Sequence, residues 1–179
     1  MNIDADVRVF EPIVHADERG SFYESYNERA FDVWLGREVR FAQDNHSTSA
    51  KDVLRGLHYQ LPPEAQAKLV RVTKGAVFDV AVDIRRSSPS FGEWRGFELS
   101  ESNRRQLWIP EGYAHGFLAL TDGTEVQYKA SAFFSAVHDR AIRWDDAEVG
   151  IEWPLGETTP RLSLKDASAP TLNEAQVFD

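Results

Sequence analysis

The chain has 179 residues, 42% hydrophobic and 27% charged, with a formal net charge of −9; this suits one compact domain with a sizeable core and argues against a polyanion-binding surface such as a nucleic-acid groove. It contains no cysteine, which excludes disulfides, thiolate nucleophiles, cysteine-ligated zinc and iron–sulfur clusters, and fits a reducing compartment. No apolar run reaches the roughly 18–20 residues of a membrane span, and the opening MNIDADVRVF lacks a basic stretch followed by an apolar one, so a cytoplasmic location with no membrane partner is expected.

Residues 7–13 read as the first strand. A helix follows: Asn27 can cap it, Ala30, Phe31, Trp34 and Leu35 form an apolar stripe, and Gly36 ends it. Further strands are expected at residues 41–47, 53–59, 68–74, 76–84, 105–109, 116–120 and 125–134, short runs rich in Val, Ile, Phe, Tyr and Trp between turn residues. Within residues 77–84, Phe78, Val80, Val82 and Ile84 form a wholly apolar face that belongs to a core. The opposite face carries Asp79 and Asp83 beside Val77 and Ala81, so it turns toward water or a polar cavity. The C-terminal part is less regular, with Pro154, Pro160 and Pro170. Many short strands, little helix and no βαβ rhythm predict an all-β sandwich or barrel, with jelly roll, lipocalin-like and other barrels equally open on pattern alone. No repeat or linker interrupts the chain, so a single domain over 1–179 is expected.

The histidines are His15, His46, His58, His115 and His138. His58 lies in VLRGLHYQ at the end of a strand, and His115 in IPEGYAHGF after a turn. A lone histidine is more often structural than chemical, so the neighbours must decide. No G-x-S-x-G elbow favours a serine hydrolase. No His-x-His, H-E-x-x-H or carboxylate-rich loop points to a metal, so no metal ligand is assigned. No G-x-G-x-x-G or P-loop indicates a dinucleotide or ATP. Acid–base chemistry by His, Tyr, Lys and Asp remains, with no cofactor required.

The segments DERGSFYESY (17–26), FAQDNHSTS (41–49), VLRGLHYQ (53–60), QAKLVRVTKGAVFDVAVDIR (66–85), SPSFGEW (88–94), IPEGYAHGFLAL (109–120), VQYKASAFF (126–134), IRWDD (142–146), IEWP (151–154) and SLKD (163–166) occur in this order. In these segments the chain resembles the dTDP-4-dehydrorhamnose 3,5-epimerase family over nearly its whole length. The resemblance implies a cupin-type jelly-roll barrel with a few short helices, and a homodimer that exchanges N-terminal strands. It also implies a dTDP-4-keto-6-deoxyhexose substrate, epimerised at C3 and C5 in dTDP-L-rhamnose formation.

Inverting a carbon next to a ketone needs a base on one face, an acid on the other and a donor at the enolate oxygen. By resemblance His58 is the base and Asp166 its partner. Tyr128 is the proton donor, and Lys68 the cation near the ketone oxygen. His115 is a second active-site histidine, and Asp79 is expected to line the same cavity. Arg55 and Arg19 match diphosphate contacts, with Arg19 reaching into the partner subunit. Glu24, Gln43, Asn45 and Lys165 match further ligand contacts. The chain departs from the family in two places. Phe133 and Phe134 stand where a tyrosine is common, keeping an aromatic face for thymine; which of the two stacks is open by one residue. Asp139 stands where the family usually has Glu, three residues after Ala136 in place of Pro. Two other readings predict different outcomes: a single-centre epimerase of another dTDP-4-keto-deoxysugar, and a non-catalytic nucleotide-sugar-binding barrel.

Overall fold

The computed structural model describes residues 7–179; the first six residues of the segment read above for a leader lie outside the described residues. The strands are β1 (Arg8–Phe10), β2 (His15–Asp17), β3 (Gly20–Phe22), β4 (Gln43–Ser49), β5 (Leu54–Gln60), β6 (Lys68–Lys74), β7 (Ala76–Asp83), β8 (Trp94–Ser100), β9 (Gln106–Ile109), β10 (Tyr113–Ala119), β11 (Thr124–Ala130) and β12 (Asp139–Ala141). Two short helices accompany them, α1 (Glu28–Leu35) and α2 (Leu164–Ala167). Two antiparallel five-stranded sheets form, in the orders β1-β9-β6-β11-β4 and β12-β5-β10-β7-β8. They face each other as the jelly-roll barrel that the resemblance implied.

Alternation decides what each sheet turns inward. The first contributes Val70, Val72, Leu107, Ile109 and Val126, and the second Val77, Ala81, Tyr113 and Phe117, to one buried cluster. The same interior also receives Lys68, His58, His115, Asp79 and Tyr128. The outer face of the first sheet is sealed by α1. Asn27 accepts a hydrogen bond from the Ala30 backbone N–H, and Gly36 closes the helix in a left-handed conformation. Phe31 is thereby set against Trp108, with ring centroids 5.6 Å apart.

The outer face of the second sheet is covered by the proline-containing C-terminal segment. Val80, Val82 and Ile84 of the β7 region pack with Leu57, Tyr59 and Ala114 and with Leu172 and Ala175 from that segment. The wholly apolar face was therefore a core face, as expected. The opposite face does not meet water: Asp79 and Asp83 are both fully buried. Asp79 points into the barrel, whereas Asp83 accepts hydrogen bonds from Arg85, Ser88 and Ser90. One face of β7 packs against the first sheet and the other under the C-terminal segment, so both are covered, a setting that alternation alone does not reveal.

Other boundaries also moved. The 125–134 strand stops at Ala130, because residues 131–138 cross from the first sheet to the second. Strand β10 begins at Tyr113 rather than residue 116. The β2–β3 hairpin, β8, β12 and α2 had no sequence-based counterpart; three of the strands are only three residues long, and β8 has a mixed face.

Strands β5 and β10 meet at a register shift between His115 and Phe117. Two glycines make it possible. A Cβ on Gly116 would stand 2.8 Å from the Arg55 carbonyl, and one on Gly56 would stand 2.5 Å from the Gly116 Cα. This close approach sets His58 directly opposite His115 in the ladder. Gly116→Ala is predicted to destabilise the fold by about 1–3 kcal/mol through overpacking, measured by chemical denaturation; parent-like stability would contradict the close approach.

Candidate active site

Around these polar side chains the barrel holds a cavity of about 470 Å³, lined by residues of both sheets and by α2. Strand β5 supplies Arg55 and His58 to its wall, β6 supplies Lys68, β10 supplies His115, and β11 supplies Tyr128. His58 and Tyr128 belong to opposing sheets and therefore reach the cavity from opposite walls.

His58 Nε2 lies 2.6 Å from Asp166 Oδ1. Asp166 is buried, and α2 orients it. Ser163 caps that helix, accepting from the Asp166 backbone N–H at 3.1 Å and donating through its hydroxyl to Asp166 Oδ2 at 2.8 Å. Burial pushes the Asp166 carboxyl up, but His58, Ser163 and Lys165 outweigh it and hold the group below the usual carboxylate range. Asp166 is thus an ionised acceptor. With Nε2 engaged, Nδ1 is the His58 nitrogen left to take up a proton.

A second pair lies deeper. His115 Nε2 is 3.0 Å from Asp79 Oδ1 and 3.1 Å from Oδ2. Burial drives His115 below its ordinary value despite the facing carboxylate, which favours a neutral imidazole that donates to Asp79. Lys68 donates from Nζ to the His58 carbonyl oxygen at 3.2 Å, and its Nζ is 5.8 Å from the centroid of the Tyr128 ring. Burial also raises the Tyr128 phenol, with Arg55 pulling it down and Asp139 adding to the rise. Tyr128 therefore keeps its proton near neutral pH. Arg55 is tethered at the rim by Ser49 and the Thr48 carbonyl, and Lys165 pairs with Asp139.

One wall thus carries an imidazole with its carboxylate, the other a protonated phenol, and a buried cation adjoins both. The model of the family described as dTDP-4-dehydrorhamnose 3,5-epimerase matches residues 3–174. The chain belongs to that family. The Salmonella typhimurium protein named dTDP-4-dehydrorhamnose 3,5-epimerase is 55% identical over 170 residues, covering 95% of this chain and 92% of the relative. The Shigella flexneri protein of the same name is 56% identical over 173 residues, covering 97% and 94%. Among solved structures, the dTDP-6-deoxy-D-glucose-3,5-epimerase of Legionella pneumophila, in complex with dTDP-4-keto-L-rhamnose, superimposes with a TM-score of 0.91. It is 48% identical, and the match covers 95% of this chain and 89% of that one.

Of the residues singled out from sequence, His58, Tyr128, Asp166, Lys68, Arg55, His115, Phe134, Asp139 and Lys165 line this epimerase-family cavity. Asp79 is buried behind His115 and touches the site through it. Phe134 is on the cavity wall and Phe133 is not. Gln43 and Asn45 bond to each other at 2.8 Å, and Gln43 also accepts from the Phe134 backbone N–H at 2.9 Å. Neither lines the cavity. Asn45 instead borders a second cavity of about 300 Å³ on the outer side of the first sheet. Arg19 and Glu24 are outside the site of their own chain: Arg19 pairs with Asp17 on the β2–β3 hairpin, and Glu24 accepts from Asn27. Sequence reasoning missed Ser163 and Gln60, both on the wall. The serine had a findable signal, a helix cap three residues before Asp166. Among the described residues, Ser47 Oγ on this wall is a buried hydroxyl without a protein partner.

Burial lowers the Lys68 ammonium from its ordinary 10.5 to about 8, with Asp79 and Asp139 acting in the opposite direction. Between those values the unfolded chain holds a proton that the folded chain has released. The Lys68 contribution therefore makes stability rise with pH across this window, and below about 8 the cost of the buried cation is present in full. Lys68→Met should abolish this rise, on the order of a few kcal/mol, when both proteins are unfolded by urea between about pH 8 and pH 10. Identical pH slopes for the two would contradict the buried cation.

Proposed function

We propose that the protein inverts C3 and C5 of dTDP-4-keto-6-deoxy-D-glucose to give dTDP-4-keto-L-rhamnose, as its family membership and its identity to named 3,5-epimerases support. The observation that carries the mechanism is the opposition of the His58–Asp166 pair to Tyr128 across one cavity, with Lys68 adjoining both.

The C4 ketone acidifies the protons on C3 and C5. His58 Nδ1 removes one of them, and Asp166 stabilises the resulting imidazolium. The electron pair moves onto the ketone oxygen, where Lys68 offsets the charge of the enolate. Tyr128 returns a proton to the same carbon from the opposite wall and regains its own from solvent. His58 releases its proton to solvent, the carbon is inverted, and a second round treats the other centre. The substrate's own ketone stabilises the carbanion, so no electron transfer is needed.

Arg55 and Lys165 are suited to the diphosphate, since both are cationic and on the cavity wall. Phe134 offers its ring to thymine. The reading includes a homodimer in which the hairpin arm completes the partner's site. Its support is that β2 and β3 form a two-stranded sheet joined to neither barrel sheet among the described residues, with Ile13 and Phe22 79% and 69% exposed. Arg19 and Glu24 would then act in the partner's cavity. A cytoplasmic location goes with this reading, as the lack of cysteine fits.

Incubation with dTDP-4-keto-6-deoxyglucose in D2O, followed by NMR, should place one deuteron at C3 and one at C5. His58→Ala should slow both by about 10²–10⁴-fold, and Tyr128→Phe should impair reprotonation more than abstraction. One deuteron only would make the protein a single-centre epimerase. No exchange with dTDP still bound would make it a binding module.

A further inference from the structure

The segment that carries Phe134 leaves β11 at Ala130 and reaches β12 at Asp139, crossing between sheets without pairing to a strand among the described residues. Its backbone groups still need partners. At either end, main-chain bonds supply them: Ser131 N–H donates to the Ala67 carbonyl at 3.0 Å, and Leu61 N–H donates to the His138 carbonyl at 3.0 Å. In the middle, three glutamine side chains take over. Gln66 donates to the Ala132 carbonyl at 2.7 Å, and Gln43 accepts from the Phe134 N–H at 2.9 Å. Gln60 engages the segment twice, donating to the Phe133 carbonyl at 3.1 Å and accepting from the Ser135 N–H at 2.7 Å. Its remaining N–H goes to the Glu64 carbonyl at 2.6 Å.

Gln60 is 3% exposed. Its amide oxygen and both amide hydrogens are committed to the protein, so it is built to hold backbone rather than to bind substrate. It is also two residues from His58 on β5, and both side chains reach the cavity wall. The strand that carries the proposed base thus directly holds the peptide groups on either side of Phe134.

We infer that Gln60 is a positioning residue that fixes the Phe134 ring as a preformed platform for the nucleotide base, in register with His58; this rests on the reading of Phe134 as the thymine-stacking side chain. A rigid platform lowers the ordering cost of binding, and stacking on one aromatic side chain bounds the size of the effect.

The test compares the parent with Gln60→Leu, Phe134→Ala and the double variant, using dTDP and inorganic pyrophosphate as calorimetric probes and the keto sugar for kinetics. Gln60→Leu should weaken dTDP binding and raise KM by about tenfold, with kcat within about twofold and pyrophosphate binding unchanged. The double variant should bind dTDP no more weakly than Phe134→Ala alone. Parent-like dTDP binding by Gln60→Leu, an equal loss for pyrophosphate, or additive losses in the double variant would overturn the inference. If Phe134→Ala binds dTDP like the parent, the stacking reading falls and the inference falls with it; if Phe134→Ala is weak and Gln60→Leu is not, only the role of Gln60 falls. Should Gln60→Leu not fold, Gln66→Leu releases the same segment at Ala132 and should give the same split between dTDP and pyrophosphate, and its absence there would count equally against the inference.

Discussion

The contact between His58 and Asp166 joins residues 108 positions apart in the chain, and much of the structure serves to bring them within 2.6 Å. His58 is fixed first, by its place in the β5 ladder opposite His115. Asp166 has no strand to hold it. Its four-residue helix is instead pinned from both sides: Arg161 exchanges backbone hydrogen bonds with Asp52 and Leu54 at the start of β5, and Arg143 donates to the Pro170 carbonyl at 2.8 Å. The C-terminal segment therefore has two duties. It covers the outer face of the second sheet with apolar side chains, and it delivers a carboxylate to the barrel mouth.

A barrel interior this polar carries a cost, because Lys68, Asp79, His115 and Asp166 are all nearly inaccessible to water. The compensation is pairing. Each imidazole faces a carboxylate, Lys68 reaches a main-chain carbonyl, and Asp166 accepts a second bond from Ser163. Such fixed partners need little rearrangement when charge moves, which is what proton abstraction next to a ketone demands of its surroundings. The apolar cluster in the rest of the barrel sets the two walls apart and excludes solvent from behind them.

The strand-rich fold was legible because alternation and turn residues mark short strands plainly, and the first helix because Asn27, its apolar stripe and Gly36 agree. The buried state of Asp83 was not legible: a carboxylate on an alternating strand looks solvated until Arg85, Ser88 and Ser90 of the following turn donate to it. The site separated in a similar way. His58, Lys68, His115 and Tyr128 stand on long strands inside motifs that carry the family resemblance, and they converge. Arg19 and Glu24 occupy an arm and a helix entry, whose position relative to any cavity depends on tertiary or subunit contacts rather than on pattern. Gln60 escaped notice because a buried amide that holds backbone has no distinctive spacing; only the path of the 131–138 crossing gives it a task.

The most direct test of the account concerns the proton on His58. If Nε2 is bound to Asp166 and Nδ1 is the base, the neutral imidazole must be the Nε2–H tautomer. Nitrogen-15 NMR of the labelled protein, with His58 assigned by difference against His58→Gln, reads this directly. A protonated Nε2 and a bare Nδ1 are expected in the neutral imidazole. A neutral His58 carrying its proton on Nδ1 would contradict it, since that nitrogen could not then accept one.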